Sequence, residues 1–238
     1  HGNRAARPGP SRPATLYADL PERFPTHSRN DAALYQLARS HEQSGAAEPA
    51  METLTKYTEQ YTGGSKFDEA QFRRGEYLFI RRDYRQAEAA YQAVLDHGPD
   101  STFHQQALYK IGWARFKRNN YEGSLNAHMQ LLDENIGAHD SADFPDQLKP
   151  AEQERLDDTL RAVSLSFSYL GDADSVATYF RSHGSRTYEP LIYAKLAALH
   201  LSKERFTDAA QSYRLFADAH PDHREAPLFR SRVIDVFK

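Results

Sequence analysis

The sequence predicts an all-α fold of stacked helical hairpins, a right-handed superhelical α-α solenoid with no sheet. Three observations carry that prediction. Ala38, Gly75 and Gly112 are separated by 37 residues each and precede Ala47, Tyr84 and Tyr121 by nine. A fixed period of this size marks copies of one small unit, each able to bury its apolar face only against its neighbours. Small and large residues also recur in one register. With the small residue set as position 8, that position reads Ala38, Gly75, Gly112, Ser164 and Ala197. Position 20 reads Ala50, Ala87, Ser124, Val176 and Ala209, and position 24 reads Leu54, Tyr91, His128, Phe180 and Tyr213. A compact side chain thus stands wherever two helices of a hairpin must approach closely. Lastly, Pro25, Pro99 and Pro221 close units where a helix must stop.

In chain order, residues 1–14 are rich in Pro, Arg and Gly and give little reason for order. Residues 15–28, with LYADLPERFP at 16–25, read as the second helix of a unit lacking its first. Repeats follow at about 30–63, 67–103 and 105–136. The next unit is displaced, because Ser164 lies 52 residues after Gly112, one period plus 15 inserted residues. The insertion, 137–155, has two Pro and few apolar residues and is expected on the surface, with helix resuming near Pro150 and the stretch 137–150 most open to proteolysis. Repeats resume at 157–188, held in register by GDADSVATYF, and at 190–223. Residues 226–238 read as a first helix without its second, leaving Leu228, Phe229, Val233, Ile234, Val236 and Phe237 uncovered and implying end-to-end self-association. Both ends therefore look cut through the repeat array, and the natural protein is expected to be longer.

Composition agrees and excludes several classes. Hydrophobic residues at 39% and charged residues at 26% suit a soluble helical protein. A net charge of −3 gives no electrostatic argument for nucleic acid. No run of 18 apolar residues exists, so no membrane span is expected. The absence of Cys removes disulfide frameworks, thiolate metal sites and Cys nucleophiles together. It fits a cell-envelope compartment without establishing one.

The residues offer little chemistry. His139, Asp140, Asp143 and Asp146 cluster in the insertion, but their spacing does not match a calcium loop, and a solvated acidic loop accounts for them. His220 and His223 flank Asp222 after a helix end, where turn residues are expected, and two nitrogens alone seldom make a zinc site. Asp157 and Asp158 are adjacent on a helix and cannot converge on one bond. They favour the helix N-terminus through its dipole. No nucleophile elbow, phosphate loop or dinucleotide glycine pattern is present. The expectation is of no catalytic site, no cofactor and no metal.

The segments GEYLFIRRDYRQAEAAYQAVLDHGP (75–99), GWARFKRNNYEGSLNAHMQLL (112–132) and YAKLAALHLSKERFTDAAQSYRLFADAHP (193–221) resemble the tetratricopeptide repeat. The resemblance covers roughly residues 15 to 238. It departs from the family pattern in lacking the Trp at position 4 and in displacing some apolar partners by one place, as at Phe72, Tyr109 and Phe116.

The resemblance implies that the first helix of each unit lines a concave groove through positions 2, 5, 9, 12 and 13. Carried over by register, these give Tyr35, Arg39 and Glu42, then Glu69, Phe72, Glu76 and Phe79, then Gln106, Tyr109, Trp113 and Phe116, then Arg161. The groove expected to bind protein is therefore Tyr35, Arg39, Phe72, Glu76, Tyr109, Trp113, Phe116 and Arg161, with the aromatic residues as anchors. Packing between helices is an equally open reading for Tyr109 and Trp113, and the stronger one for Phe79 and Phe116. Arg73-Arg74 and Arg81-Arg82 read as solvated faces or helix-end charges.

The repeat spacing and the tracts RNDAALYQLARSHEQSG, FDEAQFRRGEYLFIRRDY and LDDTLRAVSLSFSYLGD look like bacterial envelope tetratricopeptide proteins, including BamD-type assembly lipoproteins and the coordinator of the Tol-Pal system. That likeness implies a non-catalytic scaffold in the periplasm or at the outer membrane, holding a partner peptide or helix, with a Ton/Tol-type complex as one implied setting. The alternative it leaves open is a regulatory or substrate-presenting module of a larger enzyme, as in polysaccharide export.

Overall fold

A computed structural model of the chain describes residues 12–136 and 148–238. Twelve helices account for all regular structure among the described residues. They are α1 (Arg12–Arg23), α2 (Asn30–Gln43), α3 (Ala47–Gln60), α4 (Phe67–Ile80), α5 (Tyr84–His97), α6 (His104–Lys117), α7 (Tyr121–Ile136), α8 (Pro150–Leu170), α9 (Asp172–His183), α10 (Glu189–Leu201), α11 (Phe206–Ala219) and α12 (Ala226–Asp235). The chain divides within α6 into two compact units, one ending at Ala107 and the other beginning at Leu108. In the first, α2 packs on α1 and α3, and α4 on α3 and α5. In the second, α8 packs on α7, α9 and α10, and α11 on α9, α10 and α12.

The repeating register explains the packing. Position 8 faces position 24 across the two hairpins in which position 8 is glycine. A Cβ at Gly75 would lie 2.4 Å from the Tyr91 ring, and one at Gly112 would lie 2.3 Å from the His128 ring. The ring fills the space that the missing side chain leaves. Position 20 is fully buried in all five units, at Ala50, Ala87, Ser124, Val176 and Ala209. Around these contacts lie a small core of Leu34, Tyr35, Ala38, Leu54, Tyr57 and Ala70 in the first unit. A larger core in the second unit includes Leu132, Phe167, Ile192, Tyr193, Leu196 and Phe216.

The turn inside four of the five hairpins is also repeated. Gly45, Arg82, Asn119 and Glu204 all adopt positive φ, at 73°, 65°, 60° and 57°. Each sits where the following N–H reaches back to close the helix: Ala46 to His41, Asp83 to Leu78, Asn120 to Arg115 and Arg205 to His200, at 2.9–3.0 Å. This is the left-handed helix stop that satisfies the last carbonyls. The first three positions again differ by 37 residues (82−45 and 119−82).

The long helix α8 begins at Pro150, with Pro in the first turn, where its missing N–H costs nothing. Glu152 accepts the Lys149 N–H at 2.9 Å and so caps the start. The remainder of the expected insertion, 137–147, lies outside the described residues, as does the cluster His139, Asp140, Asp143 and Asp146.

Candidate functional site

In the first unit, one face of α4 builds a cleft. Phe72, Arg73, Glu76, Tyr77 and Ile80 recur at helical spacing and, with Glu42 and Phe103, line a hollow of about 400 Å³. The Phe72 ring packs on Phe103 at 5.3 Å and on Tyr91 at 5.6 Å. Ile80 is 78% exposed at its rim. The polar wall is a continuous ion network. Arg73 reaches Glu69 at 2.9 Å and Glu42 at 3.4 Å, Lys66 reaches Glu69 at 3.4 Å, and Arg39 closes on Glu42. Because α2 and α4 each supply both signs, the network ties one hairpin to the next. Glu76 accepts the hydroxyl of buried Tyr91. Burial, and then the neighbouring carboxylate, pushes the Tyr91 hydroxyl far above the usual phenol range, so it remains a donor.

Two residues expected in the groove take other roles. Tyr35 is only 4% exposed and packs edge-on against Tyr57 at 5.9 Å, because the α2–α3 seam claims its ring. Burial, with Glu69 nearby, pushes its hydroxyl up to about 12. Arg39 is not a free cationic edge, since its guanidinium is paired with Glu42.

In the second unit, Tyr109, Trp113 and Phe116 form a ladder along α6. Tyr109 meets Trp113 at 6.3 Å and Trp113 meets Phe116 at 5.6 Å, each edge to face. All three are half-buried. Tyr109 and Trp113 also rest on His128, at 5.7 and 5.9 Å, so their inner edges are packing and their outer edges surface. Nδ1 of His128 lies 3.0 Å from the Ser124 carbonyl, which only accepts, so this nitrogen carries the proton. Nε2 is buried without a hydrogen-bond partner. Burial pushes the imidazole down to about 4 and keeps it neutral. Arg161 is exposed on α8.

Other candidates resolve into structural contacts. His220 pairs with Glu189 at 2.9 Å, and His223 stands edge-on to Phe216 at 5.1 Å, so they do not converge. Among the described residues no group of three or more His, Asp or Glu could hold a metal ion. No helix among them is long and apolar enough to cross a membrane. Of the Arg pairs, Arg73 lies in the ion network, Arg74 reaches Thr55 at 3.2 Å, Arg81 pairs with Glu48 at 2.7 Å, and Arg82 forms the left-handed turn.

Tyr77, Ile80, Phe103, Tyr121 and Tyr169 are not among the residues expected from the register. The register does point to Ile80 and Tyr169: both stand five residues after their unit's small residue, Gly75 and Ser164, which is position 13.

The tetratricopeptide repeat family model matches residues 33–102 and 72–139. No curated protein matches the sequence. Among solved structures, a Podosopora anserina kinesin-light-chain-like protein of nearly identical repeats shares 10% identity over 81% of this chain and 86% of its own, with a TM-score of 0.52. YrrB, described as a tetratricopeptide protein with an unusual peptide-binding site, shares 13% over 92% and 99%, with a TM-score of 0.49. MamA shares 17% over 71% and 77%, also at 0.49. At these identities the likeness is one of fold. The matched repeats within residues 33–139, the packing of successive helix pairs and the Podosopora structure together give this chain the tetratricopeptide-repeat fold, an all-α fold that generally serves as a non-catalytic scaffold for protein interaction.

Proposed function

We propose that this chain is a binding scaffold that holds an amphipathic segment of a partner protein on the faces of its first helices, with the α4 cleft as the anchoring site. The observation that supports this most is the cleft itself: Phe72, Tyr77, Ile80 and Phe103 offer an apolar floor, while Glu42, Arg73 and Glu76 line its rim. An apolar side chain entering it is desolvated, and the paired charges give polar groups beside it defined partners. The outer edges of Tyr109, Trp113 and Phe116 provide a comparable strip in the second unit. The cell envelope is the proposed setting, with assembly of an envelope complex, of Ton/Tol type or similar, as the proposed task. That part rests on the likeness of the quoted tracts to envelope repeat proteins and on the Cys-free composition.

The test is capture of partners from cell-envelope extract by wild type, Ile80→Glu and Trp113→Ala, read by quantitative mass spectrometry. A partner lost at least about tenfold by Ile80→Glu, at unchanged circular dichroism, supports the cleft, because losing a hot-spot contact typically costs about 2 kcal/mol or more. Equal capture by both folded variants would remove these faces from the proposal. Fractionation of cells that places the protein in the cytoplasm would remove the envelope setting.

A further inference from the structure

Two helices keep an open hairpin face. Tyr17 of α1 lies eight residues before Pro25, just as Tyr91 of α5 and Tyr213 of α11, the position-24 residues of their units, lie eight before Pro99 and Pro221. Leu20 lies five before Pro25, as Val94 and Phe216 lie five before Pro99 and Pro221. The register therefore makes α1 the second helix of a hairpin. In complete hairpins these two positions are covered: Tyr91, Val94, Tyr213 and Phe216 are all buried. α1 packs on α2, the first helix of the following hairpin, and that contact leaves Tyr17 half-buried and Leu20 41% exposed.

α12 is the complementary half. Ser231 lies five residues after buried Ala226, as Ala38, Gly75 and Gly112 lie five after buried Ala33, Ala70 and Ala107, so Ser231 is the small residue at position 8. Ile234, three residues further on, takes the place of Leu78, Phe167 and His200, which are buried in their own hairpins. In α12, which packs on α11, Ser231 is exposed and Ile234 is 62% exposed. The residue types match across the two faces. Ser231 opposite Tyr17 would repeat the position-8 and position-24 pairs Ser164 with Phe180 and Ala197 with Tyr213. Leu20 and Ile234 would leave water together.

We propose that α12 of one copy docks on α1 of a second copy, forming a hairpin between chains with Ser231 and Ile234 against Tyr17 and Leu20. The contact continues between copies the seam that already joins α4 to α5 and α10 to α11 within the chain. A second copy fits these faces because it carries both halves in the right register, which a helix of unrelated sequence would have to reproduce. The contact joins two different faces, so it is heterologous, and copies add in series instead of stopping at a symmetric dimer. It uses no residue of the α4 cleft and stands or falls independently of partner binding there.

Sedimentation velocity of the whole chain over a range of concentrations reads the association. Wild type should pass from monomer to dimer and larger species as concentration rises. Leu20→Glu and Ile234→Glu, both at exposed positions, should each weaken association at least about tenfold. An equimolar mixture of the two should recover dimers and nothing larger, because the first variant keeps an intact α12 and the second an intact α1. The absence of Cys allows the register to be checked with a short bismaleimide crosslinker. Leu20→Cys mixed with Ile234→Cys should crosslink to a dimer, and neither should do so alone. A chain that stays monomeric would leave both faces to another occupant and overturn the proposal. So would a mixture of the Glu variants that recovers no dimer, or Cys variants that crosslink as readily alone as mixed.

Discussion

A methyl group added at Gly112 should destabilise the second unit, because there is no room for it. The new Cβ would lie 2.3 Å from Cε1 of His128 and 2.6 Å from each ring nitrogen. Carbon atoms rest about 3.5–4.0 Å apart, so the ring would have to retreat by about 1 Å. It is fully buried, held by the Ser124 carbonyl at 3.0 Å, and confined by the Tyr109 and Trp113 rings. Overpacking of this kind costs about 1–3 kcal/mol, and exchanging a helical Gly for Ala returns about 0.5–1 kcal/mol. Gly112→Ala should therefore lose on the order of 1 kcal/mol, and Gly112→Leu about 3 kcal/mol. Urea denaturation of both variants, with and without His128→Ala, measures the effect. Removing the ring frees the space, so the cycle should show a coupling of about 1 kcal/mol or more. An unchanged midpoint for Gly112→Leu, or the same loss whether or not His128 is present, would refute the crossing contact.

Two further outcomes follow from local geometry. The folded-state pKa of His128 lies near 4, below the ordinary 6.5, so the unfolded chain binds the proton more readily. Stability is then fully present above pH 6.5 and is lost as pH falls towards 4, by about 3 kcal/mol in all. His128→Phe should abolish that part of the acid sensitivity in urea titrations run across this range, and an identical pH profile for the variant would show that another group causes it. Arg82 holds a left-handed conformation that costs an ordinary residue about 1–2 kcal/mol. Arg82→Gly should accordingly raise the denaturation midpoint, whereas Arg82→Val should lower it, and no difference between the two would place the strain elsewhere.

The hairpin architecture was legible because it is written as a period. Every residue in positions 8, 20 and 24 depends on its neighbour across the hairpin, so each repeats, and the structure buries them together. The fine assignment of surface and core was less legible. Tyr35, Phe72 and Tyr109 occupy the same register position, yet Tyr35 is buried while the other two are half-exposed. The difference arises from the neighbours: Tyr57 and the α2–α3 seam enclose Tyr35, and no property of Tyr35 itself signals that. The pairing of Arg39 with Glu42 was within reach, being three residues apart on one helix. The bond of Glu42 to Arg73, which comes from the next hairpin, was not. The left-handed turns were also written in the period, and Gly45 and Asn119 are residue types that favour them; Arg82 occupies the same place with a residue type that does not advertise it.

Site-specific photocrosslinking tests most directly whether the α4 face holds a partner. A photoreactive phenylalanine analogue would replace Ile80, at the cleft rim, or Ala89, on the exposed side of α5. Illumination in envelope extract should give one partner adduct from position 80, none from position 89, and a reduced yield from position 80 when Phe72 is changed to Ala. Equal adducts from both positions, or adducts from position 89 alone, would contradict binding through the cleft.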